Sequence, residues 1–565
     1  MTGGRVIVVG AGLAGLSCCL TLAREGVSCT LVSTQPSERA QSVMAEGGIN
    51  AALDLMGQTD DPSQHFEDTL RGGCFLADPN AVWGMVREAP DIVRDLRVLG
   101  VPFNTEHGHM VQRAFGGQSK MRTAFAKSST GKALVTALVD AVRRYEAEGL
   151  VERRPHHVLS ALDVAGGRCC GAWITNMFTG GVSHLAGPAV LATGGLSGIF
   201  GSLTTGSVGN TGDVAALALE AGVELANLEF VQYHPTTVRI SGKRLLVSEA
   251  ARGEGGRLYA LRDSAPWYFM EELHPSLGNL MPRDVVSREE ARVLSDPSCT
   301  GEVWLDMRGI SRNVWRSRLS DLREECIHYL SVDPAREPVP VEPGIHYSMG
   351  GIWVDEAHRT SMGGLYAAGE CCSQYHGANR LGGNSLLGAI YGGRVAARTV
   401  MRAETPLAGD SRAATQPSVS PKVDPALPLP PDVALESQMH RVLGEALGVV
   451  RDGDTLRAAA EELDGMDFSA CSKRLARRHR LARAMVACAL NREESRGAHW
   501  RTDFPETRDE FRRTTIVRLV DGELRVSLRD LPEVREGVPS STLGVSLPAS
   551  GGPSVAEPGG TEVRA

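Results

Sequence analysis

Residues 5–15 read Arg-Val-Ile-Val-Val-Gly-Ala-Gly-Leu-Ala-Gly, a β-branched run followed by the pattern Gly-x-Gly-x-x-Gly. Gly10 is expected to make a tight turn, Gly12 to let backbone N–H groups approach a pyrophosphate, and Gly15 to let helix and strand pack closely. The helix that starts there directs its positive N-terminal end toward bound negative charge. With a second strand predicted over 27–32, this stretch opens a parallel α/β sheet that binds a dinucleotide.

The end of the second predicted strand departs from the pattern of NAD-binding proteins. An acidic residue is expected about 20 positions after the glycines to hold a ribose hydroxyl, but Ser33 and Thr34 stand there. Ordinary NAD binding is therefore disfavoured, although the Ser33 hydroxyl can still bond a ribose. Residues 6–23 carry no charge, yet their glycines argue for a buried strand–turn–helix, and we expect no membrane span.

A second strand–turn–helix pattern, far along the chain, completes a cofactor site. Residues 365–370 read Leu-Tyr-Ala-Ala-Gly-Glu, and 377–386 read Gly-Ala-Asn-Arg-Leu-Gly-Gly-Asn-Ser-Leu. Glu370, at the end of a predicted strand, can bind ribityl hydroxyls, and the helix predicted to begin at 384–386 directs its positive end at a reduced, anionic flavin. Arg380 offers a planar fork that matches a carboxylate. The two halves predict flavin redox chemistry on an anionic substrate.

The order of these patterns divides the chain into domains. The predicted fold class is α/β: a discontinuous Rossmann-like FAD-binding domain with an inserted α+β capping domain, followed by a C-terminal helical bundle. The predicted divisions are 1–235 and 348–402 for the FAD-binding domain, 236–347 for the capping domain, 403–432 for a Pro- and Ser-rich linker, 433–500 for a helical domain, 501–536 for a small C-terminal domain and 537–565 for a disordered tail. Because the capping domain is an insertion, we expect its motion to open and close the site.

Composition and charge exclude several classes of protein. The chain has 565 residues, more than a single core usually supports. Its net charge is −8, without a long basic run, so nucleic acid is not expected as a partner. Its 12 cysteines form no Cys-x-x-Cys pair, which argues against a disulfide framework, a zinc site or an iron–sulfur site. We therefore expect a reducing, cytoplasmic setting, no metal in this chain, and any iron–sulfur clusters on another subunit.

Several further motifs, taken with the two glycine patterns, carry a family resemblance. They are Gln232-Tyr-His-Pro-Thr236, Ser248-Glu-Ala-Ala-Arg252-Gly-Glu-Gly-Gly256, Pro282-Arg-Asp284, His346-Tyr-Ser-Met-Gly-Gly351 and Glu494-Ser-Arg-Gly-Ala-His499. In this order they resemble the flavoprotein subunit of the fumarate reductase/succinate dehydrogenase family, whose pattern L-aspartate oxidases and soluble flavocytochrome fumarate reductases share. The resemblance implies that FAD is bound by Gly10, Gly12, Ala14, Gly15, Ser33, Ser42, Gly47, Gly48, Ala192, Thr193, Gly194, Asp213, Glu370, Arg380, Ser385 and Leu386.

One position departs from the complex-type members of that family. Most of them carry a histidine, covalently bonded to the flavin, five residues before the acidic or amide residue of an Ala-[Glu/Gln]-Gly-Gly motif. Here the motif is Ala45-Glu-Gly-Gly48, and Gln41 stands at the histidine position. Because glutamine is not an imidazole nucleophile, we expect FAD to be bound noncovalently. Loss of the bond would lower the flavin potential, which disfavours succinate oxidation and leaves fumarate reduction feasible.

The resemblance also implies roles at a substrate site. Arg380, His346 and His234 bind the two carboxylates of fumarate, and the hydroxyls of Thr236 and Ser248 are possible further donors. Flavin N5 delivers hydride to one alkene carbon, and a proton reaches the other from Arg283. Glu249 and Arg252, three residues apart on a predicted helix, form a proton relay to solvent.

The sequence therefore predicts the flavoprotein subunit of a fumarate reductase, converting fumarate to succinate. Its expected partners are an iron–sulfur subunit and, through it, a membrane anchor, so the chain would lie in the cytoplasm, peripheral to the inner face of the cell membrane. An L-aspartate oxidase, a reductase of a related unsaturated acid, and an accessory electron-relay flavoprotein remain alternatives. The carboxylate-binding arginines and histidines argue against the last.

Overall fold

A computed structural model describes residues 5–403 and 430–539. In chain order its strands are β1 (Val6–Val9), β2 (Cys29–Val32), β3 (Ile49–Asn50), β4 (Thr105–Glu106), β5 (His109–Met110), β6 (Gln112–Arg113), β7 (Thr123–Ala124), β8 (Val151–Arg154), β9 (His157–Ala165), β10 (Arg168–Asn176), β11 (Val182–Ala186), β12 (Ala189–Leu191), β13 (Leu225–Ala226), β14 (Val231–Ile240), β15 (Lys243–Leu246), β16 (Arg257–Arg262), β17 (Ala265–Trp267), β18 (Cys299–Asp306), β19 (Val339–Ser348), β20 (Gly351–Trp353), β21 (Leu365–Ala367), β22 (Cys372–Ser373), β23 (Arg513–Val520) and β24 (Glu523–Asp530).

The α-helices follow the same order. They are α1 (Leu13–Arg24), α2 (Pro62–Gly72), α3 (Pro79–Val98), α4 (Thr130–Ala147), α5 (Asp213–Glu220), α6 (Glu249–Gly253), α7 (Phe269–Leu273), α8 (Arg283–Ser295), α9 (Arg312–Ser317), α10 (Ser320–Glu325), α11 (Asn384–Ala403), α12 (Pro430–Ala446), α13 (Gly453–Gly465) and α14 (Lys473–Asn491). The predicted α/β fold class is confirmed. The strand expected at 27–32 begins later, at Cys29, because residues 26 and 27 are hydrogen-bonded to the end of α1, and the strand expected at 365–370 ends at Ala367, before a 3₁₀ turn over Gly369–Cys371.

A parallel sheet forms the centre of the FAD-binding part. Its strand order is β21-β12-β1-β2-β8, and every pair is parallel. α1 packs against α11 from the far end of this part. The approach is close: a Cβ on Gly393 would lie 2.2 Å from the carbonyl oxygen of Ala14. Because Gly393 has no side chain, α1 and α11, which belong to the two halves of the cofactor pattern, can pack closely together.

The inserted part is built on an antiparallel sheet. Its strand order is β15-β14-β19-β18-β16-β17, with α6 to α10 between and around the strands. The chain enters along β14 and returns along β19, and these two strands pair in the register Val231↔Ser348. The first and last strands of the insertion are therefore hydrogen-bonded neighbours, so the chain leaves and re-enters the FAD-binding part at adjacent positions. The same pairing brings His234 and His346, two residues of the predicted substrate site, onto one wall.

The C-terminal part packs onto the FAD-binding part. Residues of α12, α13 and α14 share a hydrophobic core with β1, β12 and α5. The hairpin β23–β24 extends a sheet of order β22-β20-β13-β23-β24. Residues 501–536, expected as a small separate domain, thus contribute a hairpin to a sheet that begins in the FAD-binding part. The hairpin joins this sheet because β23 hydrogen-bonds to an edge of β13, in the register Leu225↔Val517 and Ala226↔Ile516.

The predicted linker 403–432 and tail 537–565 lie largely outside the described residues. α11 ends at Ala403, and α12 begins at Pro430, inside the predicted linker. Across residues 5–403 and 430–539, the structure has no helix whose length and apolar character would let it cross a membrane.

Candidate active site

A long cleft of about 420 Å³ runs between the parallel sheet and the capping part. Almost all of the predicted cofactor residues line it: Gly10, Gly12, Ala14, Ser33, Ser42, Gly47, Gly48, Ala192, Thr193, Gly194, Asp213, Glu370, Arg380, Ser385 and Leu386. Gly15 lies behind the wall, where a Cβ would stand 1.8 Å from the carbonyl oxygen of Gly10. Its role is the close packing of helix on strand.

The turn between β1 and α1 is shaped for a pyrophosphate. Gly10 has a φ of +111°, and a Cβ there would stand 2.0 Å from the carbonyl oxygen of Ala192. Gly12 precedes α1 and makes no side-chain capping hydrogen bond, so first-turn N–H groups remain available to an anion. One of them, that of Leu13, donates to the Ser42 hydroxyl at 3.3 Å. The cradle fits the phosphates of FAD.

The other half of the cleft presents polar groups to a sugar chain and a ring. The Glu370 carboxylate accepts a hydrogen bond from the Ser348 N–H at 3.1 Å, and burial raises the pKa of Glu370 to about 7. A Cβ on Gly195 would lie 2.2 Å from the Glu370 carboxylate. α11 begins at Asn384, so its first turn, with Ser385 and Leu386, faces the cleft. These donors and acceptors fit the ribityl and isoalloxazine parts of FAD.

Two residues of the cleft, the predicted cofactor ligand Asp213 and Gln41 at the position of the linking histidine, have protein partners of their own. Asp213 forms ion pairs with Arg474 and Arg478 of α14. Although burial opposes ionisation, these hydrogen bonds lower the pKa of Asp213. Gln41, in a 3₁₀ turn over Gln41–Met44, lines the cleft, and its amide oxygen accepts a hydrogen bond from the Ser207 N–H at 2.6 Å. Cofactor contact by Asp213 stays a prediction.

Arg380 is a buried cation that faces the cleft. Its exposed fraction is 3%, its Nε has no hydrogen-bond partner, and its guanidinium lies 4.2 Å from the Tyr347 ring centre. Burial, followed by the charge of Arg283, lowers the pKa of Arg380 to about 9. A desolvated cation whose Nε is left without a partner favours an anionic ligand.

His234 of β14 and His346 of β19 stand side by side, with ring centres 5.2 Å apart. His346 Nδ1 shares a hydrogen bond with the Thr205 hydroxyl at 2.8 Å. His234 Nε2 is buried and has no partner. Burial, and then the charge of Arg283, lowers the pKa of both rings well below the usual value. Both are neutral at pH 7, each with one N–H to donate.

Arg283, the first residue of α8, is held by a carboxylate from α6. Its Nε and Nη2 donate to Glu249 Oε2 at 2.8 and 2.6 Å, and its Nη1 donates to Gln232 Oε1 at 3.2 Å. Glu249 Oε1 accepts from the Gly116 N–H at 2.9 Å and lies 3.7 Å from Arg252 Nη2. Although burial opposes ionisation, Arg283 and Arg252 lower the pKa of Glu249. The three predicted catalytic residues therefore form one buried chain.

Two other predicted substrate-site residues differ in position. Ser248 lines the cleft, and its hydroxyl caps α6 by accepting from the Ala250 N–H at 3.4 Å. Thr236 lies behind the cleft wall: its hydroxyl donates to the Val247 carbonyl at 2.7 Å, and its N–H donates to His234 Nδ1 at 3.3 Å. The predicted donation by Thr236 to substrate is thus replaced by support of His234.

Sequence reasoning missed several residues that shape the site. Gln232 and Tyr347 lie inside motifs noted above but had no assigned role. Thr205 and Phe115 lie outside those motifs: Thr205 bonds His346 across a long separation in the chain, and Phe115 lines the same cleft as Arg283. Gly382 was also missed. Its lack of a side chain leaves room for Glu249 and Phe115, because a Cβ there would lie 2.8 Å from each of them.

Comparisons with known proteins agree with this arrangement. Residues 5–386 match the family model described as FAD binding domain, and residues 469–538 match fumarate reductase flavoprotein C-term. The chain is 37% identical to the succinate dehydrogenase flavoprotein subunit of Bacillus subtilis, over 92% of this chain and 94% of that protein. It is 39% identical to the L-aspartate oxidase of Streptomyces coelicolor, over 94% of each.

The solved structures agree as well. A chain of the Escherichia coli quinol fumarate reductase superposes with a TM-score of 0.82 at 28% identity, covering 95% of this chain and 98% of that one. The predicted family is confirmed. The chain belongs to the FAD-dependent oxidoreductase family of succinate dehydrogenase and fumarate reductase flavoprotein subunits and L-aspartate oxidases.

Proposed function

We propose that the chain is the catalytic flavoprotein subunit of a fumarate reductase. The observation that carries the proposal is the pair of buried arginines, Arg380 and Arg283, beside two neutral histidines. Arg380 is available to one carboxylate, and His234 and His346 can donate to the substrate while contributing no charge. This set of donors suits a short dicarboxylate.

The chemistry follows from the position of Arg283. When bound and reduced, FAD would supply the hydride for one alkene carbon of fumarate. Arg283 holds a proton for the other carbon, and its bonds to Glu249 and Gln232 fix the direction of its guanidinium. Glu249, with Arg252 on the same helix, is placed to return a proton to Arg283.

A second candidate is an L-aspartate oxidase, which the Streptomyces relative favours. Aspartate carries an ammonium group that needs an acceptor. The Glu249 carboxylate already accepts from Arg283 and from the Gly116 N–H, and the neighbouring wall is the apolar Phe115. These contacts leave Glu249 less available to an ammonium group, which supports fumarate at this end of the cleft.

The test is anaerobic, fumarate-dependent oxidation of a reduced viologen by the purified chain, beside the Arg283→Ala variant. We expect activity in the wild type and a loss of about 100-fold or more in the variant, with FAD still bound. Aspartate-dependent peroxide formation without fumarate reduction would support the oxidase instead.

We also propose that FAD is held noncovalently, since Gln41 occupies the position of the linking histidine and its amide is bonded to the Ser207 backbone. All flavin should then leave the protein on denaturation, as measured by absorbance of the supernatant. Flavin that stays with the precipitated chain contradicts this.

The partners are proposed from the similarity of this chain to solved structures. Solved relatives are named as quinol fumarate reductases, which supports an iron–sulfur subunit and a peripheral place at the cytoplasmic face of a membrane. Affinity purification from native membranes should recover an iron–sulfur protein with this chain. A chain recovered alone and active with aspartate and oxygen would speak against this assembly.

A further inference from the structure

The turn Gly382–Asn384 joins Arg380 to the N-terminal end of α11. Arg380 stands two residues before this turn, and α11 begins at its last residue, Asn384. Gly383 and the first-turn residue Ser385 line the cleft. The conformation of this turn therefore sets the place of two positive groups of the site, the guanidinium of Arg380 and the N-terminal end of the helix.

Asn50 of β3 binds every residue of this turn. It is fully buried and lies behind the cleft wall. Its Nδ2 donates to the Gly382 carbonyl at 2.8 Å and to Asn384 Oδ1 at 2.7 Å. Its backbone N–H donates to the Gly383 carbonyl at 3.3 Å. One residue from a different segment of the chain thus holds all three residues of the turn.

The turn is also shaped to admit the Asn50 amide. Gly383 has a φ of +84°, a left-handed conformation that favours glycine. A Cβ there would lie 2.1 Å from Asn50 Oδ1, so a side chain at this position would displace the amide. Gln118 supports the same turn, since its Nε2 donates to the Gly382 carbonyl at 2.9 Å. The contact between turn and amide is therefore specific in shape as well as in hydrogen bonding.

Further buried groups fix the direction in which the two amides point. The hydroxyl of Thr123, on the neighbouring strand β7, donates to Asn50 Oδ1 at 2.6 Å and leaves Nδ2 directed at the turn. Asn384 Nδ2 donates to the Thr69 hydroxyl at 3.0 Å, and Asn384 Oδ1 also accepts from His65 Nε2 at 3.0 Å. Burial lowers the pKa of His65 to about 3, so this network carries no charge at neutral pH.

The consequence concerns the charge of a reduced flavin. The N-terminal end of a helix carries a partial positive charge, which stabilises an anion near the first turn and loses its effect beyond it. Reduced flavin is anionic, whereas oxidised flavin is neutral. A network that holds the start of α11 at the cleft wall therefore stabilises reduced FAD more than oxidised FAD.

We propose that Asn50 is a positioning residue that raises the reduction potential of bound FAD by holding the start of α11 at the cleft wall. It acts through the Gly382–Asn384 turn, to which its amide is bonded. The inference rests on FAD binding, which the family of this chain implies. It rests on neither candidate substrate, so it applies to a fumarate reductase and to an aspartate oxidase alike.

The test is the two-electron potential of bound FAD in Asn50→Leu, measured by titration against a redox dye without substrate. Leucine keeps the branched shape of the side chain and removes the hydrogen bonds of its amide. We expect the equilibrium to shift about tenfold toward oxidised FAD, a fall of about 30 mV. Thr123→Val, which removes only the hydroxyl that orients the amide, should shift it about threefold in the same direction, or about 15 mV.

Asn80→Leu is the matched control for Asn50→Leu. The Asn80 amide also makes two hydrogen bonds to backbone groups, donating to the Glu533 carbonyl at 2.9 Å and accepting from the Arg535 N–H at 2.9 Å. It does not belong to the cleft wall. The same substitution there should leave the potential of FAD unchanged, and an equal shift in this control would contradict the role of Asn50.

The potential distinguishes positioning from a merely structural role. A variant that binds oxidised and reduced FAD equally weakly keeps its potential, because the potential shifts only through a difference between the two affinities. For a variant purified without flavin, the dissociation constants of oxidised and reduced FAD are measured separately by fluorescence, and an equal loss overturns the inference. So does an unchanged potential in Asn50→Leu, or in Thr123→Val where the leucine variant does not fold. A wild type without fumarate reduction refutes the proposed function alone.

Discussion

At the scale of single residues, Arg380 is the residue whose charge we propose to set substrate affinity most directly. Its pKa of about 9 is low for an arginine because burial and Arg283 disfavour the cation. The charge is present below that pH and is lost as pH rises through it. We therefore expect the dissociation constant of an unreactive dicarboxylate such as malonate to rise about tenfold between about pH 8 and about pH 10. Calorimetric titration measures this, and Arg380→Gln, which binds weakly at every pH, is the control. Binding that stays constant to pH 10 contradicts the assignment.

Thr205 offers a second test at the scale of single residues. Its hydroxyl bonds His346 Nδ1 and fixes which ring nitrogen faces the cleft. Removing it in Thr205→Val should cost about 1 kcal/mol of transition-state binding, or about fivefold in kcat/KM for fumarate. Thr205→Ser keeps the hydroxyl and should stay near the wild type. If valine and serine behave alike, the hydrogen bond does not orient His346.

At the scale of elements, the contact of α1 with α11 holds the two halves of the cofactor cleft together. A Cβ on Gly393 would lie 2.2 Å from the Ala14 carbonyl oxygen, so the helices must separate to accept it. Gly393→Ala should lower the free energy of unfolding by about 1–3 kcal/mol and weaken FAD retention. Chemical denaturation measures the free energy of unfolding, and the flavin content of the purified protein measures FAD retention. Gly465→Ala, at a helical position with no atom within 4 Å of the added Cβ, should change neither.

For the whole molecule, the question is whether the capping part must move. It meets the FAD-binding part through side chains such as Ser129, whose hydroxyl donates to Asp321 at 3.1 Å, and Ser128, which donates to the Arg318 carbonyl. A disulfide between Ser129→Cys and Asp321→Cys should hold the cleft closed and lower kcat about tenfold or more, with recovery on reduction. The reduced double variant is the control. Equal turnover with the disulfide formed would exclude gating by this movement.

Local sequence patterns were sufficient to predict those parts of the site that are built from consecutive residues. The glycines of residues 10–15 and the segment ending at Leu386 predicted the cofactor cleft, because a phosphate cradle and a helix N-terminus are each built from neighbouring residues. The order of the motifs predicted the family and the α/β fold class. Boundaries were less accurate, since strand ends depend on pairing partners elsewhere in the chain.

Such patterns did not predict the contacts between segments that are distant in the sequence. The pairing of β14 with β19 sets His234 beside His346, and Thr205 reaches His346 from a separate loop. Thr236 faces the protein rather than the cleft, and the C-terminal hairpin joins β13 instead of folding alone. Burial and partner choice are properties of the packed chain, so the electrostatics of the site follow from its tertiary fold.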